Sequence, residues 1–127
     1  MKNALIVGYG SIGRLHHKIL KKMKIFDKIY IYTSQNINFN YKINSLSKLD
    51  SLDITYVVIA SPTSMHEKHL YKINTQLKNS KILVEKPLFD KQIIKKINSN
   101  NSIYVGYDLR YHPVITKLKK IIHNKKI

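Results

Sequence analysis

The stretch Met1–Leu20, MKNALIVGYGSIGRLHHKIL, places three of the chain's four glycines within six residues. Ala4–Val7 is a short apolar run halted by Gly8, which suits a buried strand. From Ile12 onward, apolar residues recur at Leu15, Ile19 and Met23, a helical spacing. Gly8-Tyr9-Gly10-Ser11-Ile12-Gly13 is therefore G-x-G-x-x-G between a predicted strand and a predicted helix, the context in which that motif holds a pyrophosphate. The first glycine permits the tight turn, the second lets the pyrophosphate approach the backbone, and the third lets helix and strand pack closely. Free N–H groups and the positive pole of the helix then face the phosphates. Glycines also mark plain turns; the position of this cluster, and the scarcity of glycine elsewhere, favour the phosphate reading.

Working outward, Lys28–Thr33 (KIYIYT) predicts a second strand, and Gln35–Asn44 reads as an asparagine-rich loop with a short strand at Phe39–Tyr41. Ser45–Leu52 suits one or two helical turns. Ile54–Ala60 (ITYVVIA) is the clearest buried strand, Ser61-Pro62-Thr63 breaks it, and Met65–Leu77 follows as a helix. Lys81–Val84 is a strand closed by Glu85-Lys86-Pro87. A helix over about Lys91–Ile97, a strand Ile103–Tyr107 and a helix Val114–Ile122 complete the chain. Apolar strands alternating with helices imply an α/β fold: a doubly wound, mostly parallel Rossmann-type sheet covered on both faces, in a single domain. The connection after the second strand is shorter than a full crossover helix needs. In such folds an acid at the end of the second strand holds the ribose 2′-hydroxyl of NAD. Tyr32-Thr33-Ser34 supplies none, which tilts the reading slightly towards NADP and leaves NAD open.

The remaining composition is that of one ordinary soluble domain: 127 residues, 43% hydrophobic and 24% charged. With no cysteine, disulfides and thiolate sites are excluded. The net charge of +16 invites a nucleic-acid reading. All the basic residues except Arg14 and Arg110 are lysines, however, scattered among isoleucine and asparagine. That is compositional drift rather than an arginine-built surface, so no specific nucleic-acid partner is expected. The N-terminal apolar run is too short for a secretory core, and no stretch is long enough to span a membrane. A cytoplasmic location is expected.

Three further motifs follow in order. Ile59-Ala60-Ser61-Pro62-Thr63-Ser64-Met65-His66 resembles the A-[ST]-P-x-x-x-H turn of the glucose-fructose oxidoreductase and inositol dehydrogenase family (Gfo/Idh/MocA). Val84-Glu85-Lys86-Pro87-Leu88 resembles its E-K-P signature, and Val105-Gly106-Tyr107-Asp108-Leu109-Arg110-Tyr111-His112-Pro113 its V-G-[FY]-N-x-R-[FY]-x-P segment, with Asp108 where the family usually has asparagine. His16 stands three residues past the last glycine of the turn, as in the family. The resemblance implies nicotinamide-dependent oxidation or reduction of a sugar, polyol or nucleotide-sugar hydroxyl. Lys86 is the implied catalytic residue, orienting the substrate hydroxyl and helping to move its proton. The implied cofactor-binding set, for NAD or NADP, is Gly8, Tyr9, Gly10, Ser11, Ile12, Gly13, Thr33, Ser34, Ala60, Ser61, Pro62, Thr63, His66, Glu85, Lys86 and Arg110. His66 is expected to face the cleft. Glu85 is expected to be structural or cofactor-facing, His16 to pack and His17 to be exposed. His66 and His69 do not have the H-E-x-x-H spacing of a metal pair, and no metal is expected.

Residues 1–113 are expected to form the NAD(P)-binding domain and 114–127 a helix leading towards the second α+β domain, which in the family carries the substrate pocket. The sequence ending at Ile127 is expected to lack that domain and to act on a sugar-like substrate only when it is supplied. Self-association through the uncovered face is expected as well. A rival reading is a non-enzymatic dinucleotide-binding or protein-interaction module.

Overall fold

The computed structural model describes residues 2–92, 97 and 99–125 of the chain. Strand β1 is Asn3–Val7, followed by helix α1, Ser11–Met23, and strand β2, Lys28–Tyr32. A short β3, Lys42–Ile43, and a 3-10 turn, Leu49–Leu52, lead to β4, Ile54–Ile59. Helix α2 covers Thr63–Gln76, β5 Lys81–Val84 and β6 Ser102–Val105. A second 3-10 turn, Asp108–Tyr111, then opens into α3, Pro113–Lys125. The predicted helix at Lys91–Ile97 lies largely outside the described residues.

The six strands form one sheet in the order β3-β2-β1-β4-β5-β6, and every pairing is parallel. This is the Rossmann order, with its topological switch between β1 and β4. Parallel strands at the centre of such a sheet face protein on both sides, so they read as unbroken apolar runs. In register, Leu5 lies beside Val57 and Val7 beside Ile59. These side chains point into a core shared with Leu46, Leu49, Leu70 and Ile73 under α2 and the first 3-10 turn. The alternate residues Ala4, Ile6 and Val58 point the other way, against Leu20 of α1.

Helix α1 forms where the periodicity predicts it, but its apolar stripe is not the side that meets the sheet. Ile12, Leu15, Ile19 and Met23 remain about half exposed, whereas Gly13 and Leu20 are buried. The glycine decides the rotation: only position 13 permits contact with the turn beneath it, so the stripe is carried round to the flank. Helix α3 is likewise exposed along Val114, Leu118, Ile121 and Ile122. Among the described residues no helix is long and apolar enough to cross a membrane.

The short strand expected at Phe39–Tyr41 forms instead at Lys42–Ile43, paired with Ile31 and Tyr32. Thr33–Tyr41 contains no helix and is pinned by ring contacts. Phe39 meets His17 edge-on at 5.1 Å, and Tyr41 meets Tyr30 at 5.8 Å. The predicted turns at Ser45–Leu52 contract to the 3-10 segment. Strand β6 stops at Val105, because Gly106 turns the chain into the loop before the second 3-10 turn.

Candidate functional site

The carboxyl ends of the strands define one edge of the sheet. The amide of Gly8, at the end of β1, donates to the Tyr32 carbonyl at 2.8 Å, and that of Ala60, at the end of β4, donates to Val7 at 2.8 Å. The amide of Glu85, at the end of β5, donates to Ile59 at 2.9 Å, and that of Gly106, at the end of β6, to Val84 at 2.8 Å. The loops after four adjacent strands are thus held side by side. At the switch point the loops after β1, β2 and β4, with Asn44 and the start of α2, wall a cavity of about 620 Å³; Glu85 and Lys86, after β5, are not on its wall. The volume is within the range of small-molecule sites.

Each of the three glycines in the turn has a different physical reason. Gly8 has φ +93°, and a Cβ there would lie 2.6 Å from the Ala60 carbonyl oxygen and from the Ser61 backbone. A Cβ on Gly13 would lie 2.1 Å from the Gly8 carbonyl oxygen. Both residues are demanded by the chain's own packing. Gly10 is not: a Cβ there would meet nothing within 4 Å, and its φ of −73° and ψ of −164° suit any residue. The space above Gly10 opens over the start of α1, whose N-cap has no side-chain partner and whose first turn has no acid. Unpaired N–H donors and an unmasked positive pole therefore face an open cradle. The fit to a dinucleotide pyrophosphate follows from this position, because the fold leaves room that it does not itself use.

Of the expected cofactor-binding residues, Gly8, Tyr9, Gly10, Ser11, Ile12, Thr33, Ser34, Ala60, Ser61 and Pro62 line the cavity. Gly13 supports the turn from below, and Thr63 starts α2. Neither is on the wall. Gln35, Asn44, Met65 and His69 line it too and were not expected there from sequence, and so does Tyr32, which the sequence placed at the ribose-reading end of β2 but not among the cofactor-binding residues. Tyr32, Gln35 and Asn44 follow from the end of β2 and the loop beyond β3. Met65 and His69 lie one turn apart on α2 and face the same way. None of the seven acids of the chain is on the wall.

His66 corrects the sequence reading. It is only 1% exposed and does not face the cleft. Its Nε2 is 2.8 Å from the Ser61 carbonyl oxygen, and its Nδ1 lies 3.0 and 3.1 Å from those of Pro87 and Leu88. It is a strut that ties the turn after β4 to the loop after β5, because a helix start one turn beyond Pro62 points its side chain inward. His17 is not exposed either. It is half-buried between Phe39 and Tyr9, with its Nδ1 2.6 Å from the Tyr9 hydroxyl. His16 does more than pack: its Nε2 is 2.6 Å from Glu85 Oε1, joining α1 to the E-K-P loop. On the other side the carboxylate lies close over Gly106, where a Cβ would come within 3.3 Å of it. Glu85 is thus a structural link between α1, β5 and β6.

Lys86 stands next to that link with its side chain 55% exposed, and its Nζ lies 4.0 Å from Asp108 Oδ1. Both partners are solvated, so the pair adds little stability. Arg110 is exposed in the second 3-10 turn and is not on the cavity wall.

His69, on the wall, has its Nδ1 2.9 Å from Ser61 Oγ and packs edge-on against Tyr32 at 5.7 Å. Burial first, then the charges of Lys68, His66 and Lys72, holds it below the ordinary imidazole value. Burial and Lys21 act on His17 in the same direction. The unfolded chain therefore accepts protons that the folded one resists. Stability is whole above about pH 6.5 and falls as the pH drops below it. Urea midpoints should decline between about pH 7 and pH 5.5, and His69→Gln should flatten the decline. An equally steep decline in the variant would assign it to other groups.

Among solved structures, the chain is similar to scyllo-inositol dehydrogenase from Lactobacillus casei, with TM-score 0.76 and 17% identity over 98% of this chain and 42% of that one. It is also similar to UDP-N-acetylglucosamine 3-dehydrogenase from Acidithiobacillus ferrooxidans, with TM-score 0.68 and 17% identity over 95% of this chain and 43% of that one. At these identities the likeness shows the fold, and the chain spans less than half the length of either enzyme. No curated protein sequence matches it. The model of the oxidoreductase family with an NAD-binding Rossmann fold, GFO_IDH_MocA, matches residues 2–99, which takes in the glycine turn, the Ser61-Pro62 turn and the E-K-P loop alike. The chain therefore belongs to the Gfo/Idh/MocA oxidoreductase family, as an NAD-binding Rossmann domain.

Proposed function

We propose that the chain takes part in hydride transfer between a nicotinamide dinucleotide and a hydroxyl of a sugar, polyol or nucleotide sugar. The observation that carries this reading is the row of loops at the carboxyl edge. The pyrophosphate cradle at Gly10, the Ala60–Pro62 wall and Lys86 lie on adjacent strand ends, and neighbouring strands are about 4.8 Å apart. When bound, the nicotinamide supplies the hydride acceptor or donor. The chain's own residues do the rest. Ser11 and Ile12 present backbone N–H groups to the phosphates, and the Ala60–Pro62 turn bounds the far end of the cleft. Lys86, beside Asp108 and the Glu85–His16 link, would orient the substrate hydroxyl and exchange a proton with it at Nζ: the neutral amine takes the hydroxyl proton when the hydride leaves the carbon, and the ammonium returns it in the reverse direction. The two similar enzymes named above act on an inositol and a nucleotide sugar, which supports this substrate class. Efficient turnover needs the reacting carbon held close and water kept out. The exposure of Lys86 leaves this side of the site open, which supports a reading in which a second domain, supplied to residues 1–113, forms the further wall.

The test is turnover of scyllo-inositol, myo-inositol and UDP-N-acetylglucosamine by the chain joined to a second, covering domain taken from a family enzyme, with either oxidised cofactor and followed by the absorbance of the reduced one. Lys86→Ala should lower kcat about 10²- to 10⁴-fold, as expected for loss of a positioned proton-transfer group. Variant activity above about a tenth of the original would remove Lys86 from the mechanism. Binding of the cofactor without turnover of any hydroxyl substrate would favour the dinucleotide-binding module instead.

A further inference from the structure

We infer that the cleft selects NADP(H) over NAD(H) through a 2′-phosphate site built by Arg14, Lys42, Thr33 and Ser34; this rests on the reading of the cavity as the dinucleotide cleft. The two cations come from different elements and converge on one residue of the wall. Arg14, on α1, donates from Nη2 to Gln35 Oε1 at 3.4 Å. Lys42, the first residue of β3, donates from Nζ to the Gln35 carbonyl at 2.8 Å. Arg14 is held in place by a bond from Nε to the Tyr9 carbonyl at 3.2 Å and by stacking 5.0 Å above the Tyr9 ring. Its guanidinium is solvent-exposed beside the cavity wall, where these contacts favour its lying over Tyr9 and Gln35.

Thr33 and Ser34 line the cavity at the end of β2, where the ribose is read in this fold. Thr33 Oγ1 accepts from the Gln35 amide at 3.2 Å, which leaves its own proton to donate. An acid here would hold a 2′-hydroxyl and repel a 2′-phosphate, and none lies on the wall. A phosphate monoester brings a charge of about −1.5 to −2 and three acceptor oxygens. A planar guanidinium, an ammonium and two hydroxyls match that inventory. The missing crossover helix is part of the device. Because Thr33–Tyr41 loops straight back, Lys42 pairs beside Ile31 and its Nζ lies behind Gln35 of the wall, one residue from Ser34.

The test is calorimetric titration of the 127-residue chain with NADPH and with NADH in about 50 mM salt, where screening is weak. Adenosine 2′,5′-bisphosphate and ADP serve as competing fragments. NADPH should bind at least about tenfold more tightly, with the preference shrinking as salt is raised. Arg14→Ala and Lys42→Ala should each lower the NADPH-to-NADH ratio several-fold, and Ser34→Asp should invert it. Lys119→Ala and Lys120→Ala on α3 control for bulk charge and should leave the ratio as it is. These positions lie on the surface, and circular dichroism verifies that each variant folds. A ratio near one, or one indifferent to Arg14 and Lys42, would overturn the inference and leave the cleft reading standing. Binding of neither cofactor would overturn both.

Discussion

Gly13→Ala is expected to destabilise the domain by about 3 kcal/mol or more, the upper end of what overpacking costs. The new methyl carbon would lie 2.1 Å from the Gly8 carbonyl oxygen, and that atom belongs to the backbone. No side chain can swing aside to relieve the clash. Either α1 lifts from the sheet, exposing Ala4, Ile6 and Val58, or the turn rebuilds and Gly8 loses its bond to Tyr32. Small domains hold only about 5–15 kcal/mol in total. A loss of this size should therefore lower the thermal midpoint by about 10 °C. Differential scanning calorimetry of the purified variant checks this; a midpoint within about 2 °C of the original would show that the helix is less tightly seated than the structure places it.

Gly10→Thr should give the opposite pair of results. Threonine and glycine are nearly equivalent at an N-cap, and the extended backbone at position 10 accepts a β-branched residue. The thermal midpoint should stay within about 2 °C. Its side chain, however, fills the open space over the start of α1. Phosphate oxygens would lose one or two charge-assisted bonds to backbone N–H groups, each worth about 1.5–3 kcal/mol. Dinucleotide affinity should fall about 100-fold, read by the same titration used for the cofactor preference. Unchanged affinity would mean that the pyrophosphate does not sit at Gly10. A large loss of stability would mean that the glycine is there for folding alone.

Local pattern carried most of the fold. The apolar runs Ala4–Val7, Ile54–Ala60 and Lys81–Val84 appear as β1, β4 and β5 within a residue or two, because a strand buried on both faces has no polar side to blur its limits. The Asn-rich segment after β2 was harder. Phe39–Tyr41 has the composition of a strand, yet its aromatic rings are used to pin the loop to His17 and Tyr30. The pairing moved on to Lys42–Ile43. The site divided along similar lines. Residues in the turns straight after β1, β2 and β4 proved to be cavity walls, since the ends of parallel strands share one edge. His66 was misread and Gln35, Asn44, Met65 and His69 were missed, because a helix's rotation and a loop's return path do not show in a linear motif.

The sequence by itself determined the order of elements, the glycine turn and the E-K-P loop, and with them the family, since all of these depend on residues close together in the chain. Only the tertiary structure decided which glycine the chain's own packing does not require and which histidine serves as a strut. It also decided that Glu85 answers to His16 and that Arg14 and Lys42 meet at Gln35. Those facts depend on distances between segments up to 69 residues apart in the chain, and such distances exist only once the sheet has set its strands side by side.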